Sequence, residues 1–252
     1  MSREEAVLYG IHPVLETLRS GLPVSKIYLA LHRDDSVGGE IFALARQRKI
    51  SLLMVHKEEL NRIAGTTKHQ GVVAWVPPKS DHDLDSLLSI SSERAEPPFF
   101  LLVDSVEDPR NLGAILRTAE SAGVHGVIIP KRRAAGLSPV VSKTSAGATA
   151  HLPLARVTNL SQTIDQLKKD LVWVVGLDAT SPVSYLECDF QKPVAIIVGG
   201  EEAGIHQKIL ERCDEIVSLP MRGIVESLNV SVAAGIVIYE ALRQREKERK
   251  KK

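Results

Sequence analysis

Asn111, Arg117, Glu201, Ser227 and Asn229 are polar residues standing at or just beyond turns that follow apolar runs, where a side chain can reach a reacting group. They fall in three clusters. The first runs from Asp104 through Asn111 to Arg117, following the apolar run FFLLVD, and places Asn111 at a helix start with Arg117 two turns in. Asn111 alone reads as an N-cap, a role that stabilises a helix by about 1 kcal/mol. Arg117 alone reads as a solvated helix residue. An arginine keeps its proton up to a pH of about 12, which makes it an awkward base, whereas electrostatic stabilisation needs no proton acceptance.

The second cluster, Gly199-Gly200-Glu201-Glu202-Ala203-Gly204, follows the strand-like VAIIV and precedes a helix. Its paired glycines keep side chains out of the way of a ligand. The dinucleotide fingerprint G-x-G-x-x-G is absent, so a nicotinamide site is poorly supported, and Glu201 at a helix start is also a favourable dipole partner. The third cluster begins with Pro220-Met221-Arg222-Gly223, where proline fixes the turn, and runs to Ser227-Leu228-Asn229, which opens the last helix.

Strand–helix alternation positions these clusters. A first α/β unit reads as a helix from Pro13 to Arg19, a strand over Lys26–Leu31, a helix near Gly39–Arg48, the strand SLLMV, a helix near Lys57–Ala64 and the strand VVAWV. Proline-flanked residues 77–97 have linker composition, with one short helix near Leu84–Leu88. FFLLVD then opens a second alternating unit: a helix near Asn111–Ala122, GVIIP, a loop and helix around Ser138–Ala148, a helix near Leu160–Lys169, and LVWVVGL. VAIIVG, a helix near His206–Arg212, EIVSLP and a terminal helix from about Ser227 to Arg245 complete it. The pattern predicts an α/β protein with a mainly parallel sheet and helices on both faces. The expected domains are 1–76, a linker over 77–97, 98–246, and a basic tail over 247–252. Ligands should bind at the sheet edge where the strands end.

Composition narrows the class. Hydrophobic residues make up 44% of the chain and no run approaches the roughly 20 apolar residues of a membrane span. The start MSREEAVLYG lacks the apolar core of a signal peptide, which makes the cytoplasm the expected compartment. Cys188 and Cys213 form neither a disulfide framework nor a metal-ligand set, and no metal is expected. The net charge is +1, with local basic clusters at Lys131-Arg132-Arg133 and in the C-terminal RQREKERKKK. Either could meet phosphates, although the tail also reads as a solvated helix end.

Taken in order, DPRNLGAILRTAESAG, IIVGGEEAGI and LPMRGIVESLNVSVAAGIVIYE resemble the three motifs of the SpoU (TrmH) family of RNA ribose 2′-O-methyltransferases, over the whole second domain. The resemblance implies a trefoil-knotted α/β domain, a homodimer and S-adenosylmethionine as cofactor. Periodicity predicts no knot, and general topology rules oppose one. YGIHPVLETLRSG and KHQGVVAWV are similar to the ends of the small RNA-binding domain found before the catalytic domain in large-subunit rRNA enzymes of this family. That domain resembles ribosomal proteins that grip kinked RNA. No aromatic RNA-stacking signature is evident, so contacts by shape and backbone are expected, and His12 and His69 read as turn hydrogen bonders.

Carried over by resemblance, Gly199, Gly200, Leu219, Met221 and Leu228 enclose the cofactor. Asn111, Arg117, Glu201, Ser227 and Asn229 match the polar active-site positions, with Arg117 at the reacting hydroxyl and its adjacent phosphate. The implied substrate is a guanosine of large-subunit rRNA. A tRNA enzyme, an antibiotic-resistance rRNA methyltransferase, and a non-catalytic RNA-binding assembly protein are the alternatives. The last would have lost the arginine or the cofactor turns, and this chain keeps both.

Overall fold

A computed structural model describes residues 5–31, 36–132 and 134–249. Arg133 of the basic cluster and the last three lysines of the tail lie outside the described residues. The chain forms two compact units, one made of residues 1–80 together with 137–151, the other of 81–136 and 152–252.

The first unit contains β1 (Ala6–Tyr9), α1 (Ile11–Arg19), β2 (Lys26–Ala30), α2 (Ser36–Gln47), β3 (Ser51–Val55), α3 (Lys57–Ala64) and β4 (Val72–Val76). Its sheet runs β1-β4-β2-β3, antiparallel except for the β2–β3 pair. Alternation along the strands sends Leu8, Ile27, Leu29, Val72 and Ala74 to one face. There Val14, Leu15 and Leu18 of α1 and Ile41 and Ala45 of α2 bury them. Val7, Tyr9, Tyr28 and Val73 take the other face beneath Leu60 and Ile63 of α3. His69 behaves as a turn residue: its ring bonds Asn61 Oδ1 at 2.9 Å and accepts the Gly71 N–H at 3.0 Å.

Residues 137–151, expected inside the second domain, belong to this first unit. A helix over Pro139–Thr144 starts at Ser138, whose hydroxyl accepts the Val141 N–H. Lys143 places its Nζ 5.6 Å from the Tyr9 ring centre, and His151 pairs with Glu16 at 2.9 Å. Gly147, at φ +87°, lies so close to α1 that a Cβ would stand 2.8 Å from that of Glu16. No local pattern could reveal this, because every partner lies more than 70 residues away in sequence.

The second unit begins with α4 (Leu84–Glu93), capped by Asp83, whose carboxylate accepts the Ser86 N–H. It corrects the linker expectation, since Leu87 is fully buried in this unit's core. Then follow β5 (Phe99–Asp104), α5 (Pro109–Ser121), β6 (Gly126–Pro130), α6 (the Pro139–Thr144 helix of the first unit), β7 (Leu154–Val157), α7 (Leu160–Lys169) and β8 (Trp173–Leu177). β9 (Val194–Gly199), α8 (Gln207–Leu210), β10 (Glu215–Val217) and α9 (Val230–Arg249) complete it. The sheet runs β10-β8-β9-β5-β6-β7 and every pair is parallel. All of β5 is buried, as a strand covered on both faces requires. Two short strands, β1 and β7, were not expected; each has only four residues, and β7 carries an exposed Arg156.

α9 is longer than its apolar stretch. Arg245 explains the extension: its guanidinium donates to the carbonyls of Pro97, Pro98, Phe190 and Lys192 and lies over the Phe99 ring. Burial pushes its pKa down to about 10, so it stays charged at neutral pH.

Nearby, His125 accepts the Phe99 N–H on Nδ1 at 3.0 Å and faces Glu96 through Nε2 at 3.1 Å. Burial, aided by Arg94 and Arg245, pushes its pKa down to about 4. A folded value below the free value of about 6.5 means that the neutral ring's contribution is complete above pH 6.5. It is lost as pH falls towards 4. The urea midpoint should therefore decline across that window, and His125→Asn should remove part of the decline. Identical pH profiles for the two proteins would refute the assignment.

Candidate functional site

Strand order reverses between β5 and β9, where the chain passes to β6 on one side and returns on the other; such a switch point opens a crevice at the strand ends. Asp104 and Gly199 are register partners there. Asp104 is buried and its carboxylate accepts both the backbone N–H and the Nδ1 of His206 at 2.9 Å, with the Ser105 hydroxyl at 3.1 Å. This anchors the far end of the glycine loop. Within the loop Gly200 and Gly204 exchange backbone N–H···O bonds of 3.1 Å.

Both glycines at the loop's start are required by close approach. A Cβ on Gly199 would stand 2.0 Å from the Gly204 carbonyl carbon, and one on Gly200 would stand 2.1 Å from the Ser105 oxygen. Neither obstacle is a side chain that could swing aside.

A cavity of about 330 Å³ opens beside this loop. Gly199, Gly200, Glu201, Leu219, Met221, Ser227 and Leu228, seven of the ten expected site residues, line it. Val198, Val230 and Ala233 add apolar wall, and Asp178, Glu202 and Glu226 add carboxylates. Asp178 and Thr180, which follow β8, were missed by the sequence reading. Their signal is position alone, at the end of a third parallel strand beside the switch point.

Asn111 and Asn229 join the site through a relay. The Asn229 amide donates to Asn111 Oδ1 at 3.0 Å, and the Asn111 amide donates to Glu201 Oε1 at 2.5 Å. Asn229 Oδ1 in turn accepts the Ser231 N–H at 2.9 Å and its hydroxyl at 2.6 Å, so Asn229 caps α9 and Ser227 and Leu228 precede the helix. Each amide can face only one way, because a flip would set donor against donor. One residue from each of the three sequence clusters is thereby held in line.

Arg117 does not line the cavity. It is exposed on α5, which packs on α9, and makes no hydrogen bond or ion pair with the described residues. Among the described residues no group of three His, Cys, Asp or Glu side chains could hold a metal ion, and no helix is long and apolar enough to cross a membrane.

Comparison with known proteins adds to this geometry. Residues 98–239 match the model of the SpoU rRNA methylase family, and residues 7–82 match a model described as RNA 2′-O ribose methyltransferase substrate binding. The chain is 42% identical, over 95% of its length and 96% of the relative's, to the 23S rRNA (guanosine-2′-O-)-methyltransferase RlmB of Coxiella burnetii. It is 41% identical, over 97% of its length and 98% of the relative's, to a Bacillus subtilis protein assigned to the TrmH family of tRNA/rRNA methyltransferases. The solved SpoU methyltransferase AviRb from Streptomyces viridochromogenes, in complex with AdoMet, superposes with a TM-score of 0.83 at 28% identity, covering 96% of this chain and 91% of that one.

Proposed function

The chain belongs to the SpoU rRNA methylase family and is an S-adenosylmethionine-dependent RNA methyltransferase, and on that premise we propose that it methylates the ribose 2′-hydroxyl of a guanosine in large-subunit rRNA. The observation that carries the site assignment is the Asn229–Asn111–Glu201 relay beside the cavity. The rRNA target rests on likeness to the 23S enzyme along nearly the whole chain, including the first unit.

The residues present fit the cofactor. Leu219, Met221 and Leu228 offer an apolar wall, and Asp178, Glu201, Glu202 and Glu226 give the cavity a negative lining. That lining complements a sulfonium and an amino group. When bound, the cofactor supplies an electrophilic methyl whose leaving group is a neutral thioether. Gly199 and Gly200 bring backbone within reach of it. Asn111, held between Glu201 and Asn229, positions the ribose, with Ser227 at the cavity rim. Arg117 bonds to none of the described residues, so its guanidinium is free to hold the 2′-oxygen and the neighbouring phosphate as charge develops and the hydroxyl proton passes to solvent water. Stabiliser is the role we assign it.

We propose a homodimer, a reading supported by α9, where Val232, Ile236 and Tyr239 recur at one-face spacing and are 50%, 36% and 50% exposed. The cytoplasm, where rRNA is processed, is the proposed compartment. Purified full-length protein with labelled S-adenosylmethionine should methylate 23S rRNA at one ribose and leave tRNA unlabelled. It should sediment at about twice its 27.5 kDa chain mass. Label confined to tRNA would overturn the substrate, and a monomeric active enzyme would overturn the dimer.

A further inference from the structure

On the first unit's sheet, α3 leaves one end of its face uncovered. The register sets Trp75 of β4 opposite Lys26 of β2, and Lys26 opposite Ser51 of β3. One pair along, Tyr28 stands opposite Leu53. These five side chains share the same face by strand alternation. The Trp75 and Tyr28 rings lie 6.4 Å apart at 53°, and the Lys26 ammonium sits 5.2 Å from the Tyr28 ring centre. Trp75 is 36% exposed and Leu53 42%.

We propose that this face, built on Trp75, Tyr28 and Lys26, is a stacking platform for unpaired bases of the RNA substrate. The proposal rests on the RNA reading above and deepens it. Two arguments select this occupant. A base presents a flat π-face and a phosphate a short way off, which is what an aromatic pair flanked by an ammonium complements. The four strands of this sheet carry Lys26 as their one charged side chain and no carboxylate, so nothing on them repels a polyanion. Bases inside a duplex hide their faces, so the platform selects loops or single strands. Stacking tolerates any base, so the platform contributes affinity and placement while target choice lies elsewhere.

The test uses the full-length protein. Trp173→Phe removes the only other tryptophan and leaves Trp75 as the fluorescent reporter. A single-stranded oligoribonucleotide of about 12 nucleotides should quench Trp75 emission, and the same sequence annealed into a duplex should quench it far less. Trp75→Ala should weaken single-strand binding by about tenfold, a typical stacking loss, with Trp75→Phe retaining most of it. S-adenosylmethionine affinity should not move in either variant. Lys26→Gln should lower the slope of log affinity against log salt by about 0.7, one phosphate contact. Equal quenching by duplex and single strand, or single-strand affinity in Trp75→Ala within twofold of the parent, would overturn the platform. If Trp75→Ala proves unfolded, an unchanged salt slope in Lys26→Gln overturns it instead. Methyl transfer to 23S rRNA by the unmodified protein reports separately on the reading beneath: transfer with no platform effect sinks the platform alone, and no transfer sinks both.

Discussion

Arg117→Ala is expected to slow methyl transfer by at least about a hundredfold, the scale of losing one preorganised charge stabiliser, while S-adenosylmethionine affinity changes by less than about twofold. The structure separates this outcome from a folding defect. Arg117 is exposed and bonds to none of the described residues, so its loss leaves no buried group unsatisfied, and alanine suits a helix interior. The thermal midpoint should therefore stay within about 2 °C, a surface-substitution effect. Arg117→Lys tells charge from geometry. A lysine keeps the charge and loses the planar fork, so a rate between those of alanine and arginine indicates simple stabilisation, and a rate equal to alanine's indicates that hydroxyl and phosphate must be gripped together. Turnover of Arg117→Ala within fivefold of the parent would remove Arg117 from the mechanism.

Gly199→Ala is expected to weaken S-adenosylmethionine binding by about a hundredfold or more, comparable to roughly 2.7 kcal/mol. The added Cβ would meet the Gly204 carbonyl carbon at 2.0 Å and the Ile205 nitrogen at 2.2 Å. Backbone must move, and the reciprocal Gly200–Gly204 bonds that shape the cavity's edge break first. Gly204→Ala is the control. Gly204 sits at φ +63° with its nearest atom 4.0 Å from an added Cβ, so alanine there adds about 1–2 kcal/mol of left-handed strain without invading the loop. Its cofactor affinity should fall less than tenfold. Calorimetry on both variants, with circular dichroism confirming that each is folded, decides the matter. A Gly199→Ala protein that binds the cofactor like its parent would mean that this loop is not the cofactor's seat.

The second sheet was legible because FFLLV and VAIIV are uninterrupted apolar runs, the mark of strands covered on both faces. The three clusters of the candidate site were legible for a related reason: each follows a predicted strand, and parallel strands place their ends together. Arg117's distance from the cavity was not legible, since its helix position says nothing about what α5 packs against. Asp178 was hidden by an ordinary D-A-T turn. The platform was hidden by separation: Tyr28 and Trp75 are far apart in sequence, and only the antiparallel β2–β4 register makes them neighbours. α4 looked like linker because prolines at both ends and many serines surround its few apolar residues, of which Leu87 does the anchoring.

The first unit is closed by residues that come late in the chain, and this sets an order for synthesis. When residue 80 has emerged from a ribosome, all four strands of the first sheet are present, but the stretch carrying Lys143, Gly147 and His151 is not. At about 5–20 residues per second, that stretch follows several seconds later. In the interval α4, β5, α5 and β6 appear, and β5 is buried on every residue in the finished protein while its neighbour β9 has yet to be made. The nascent chain thus carries an open first unit and an unpaired apolar strand at the same time.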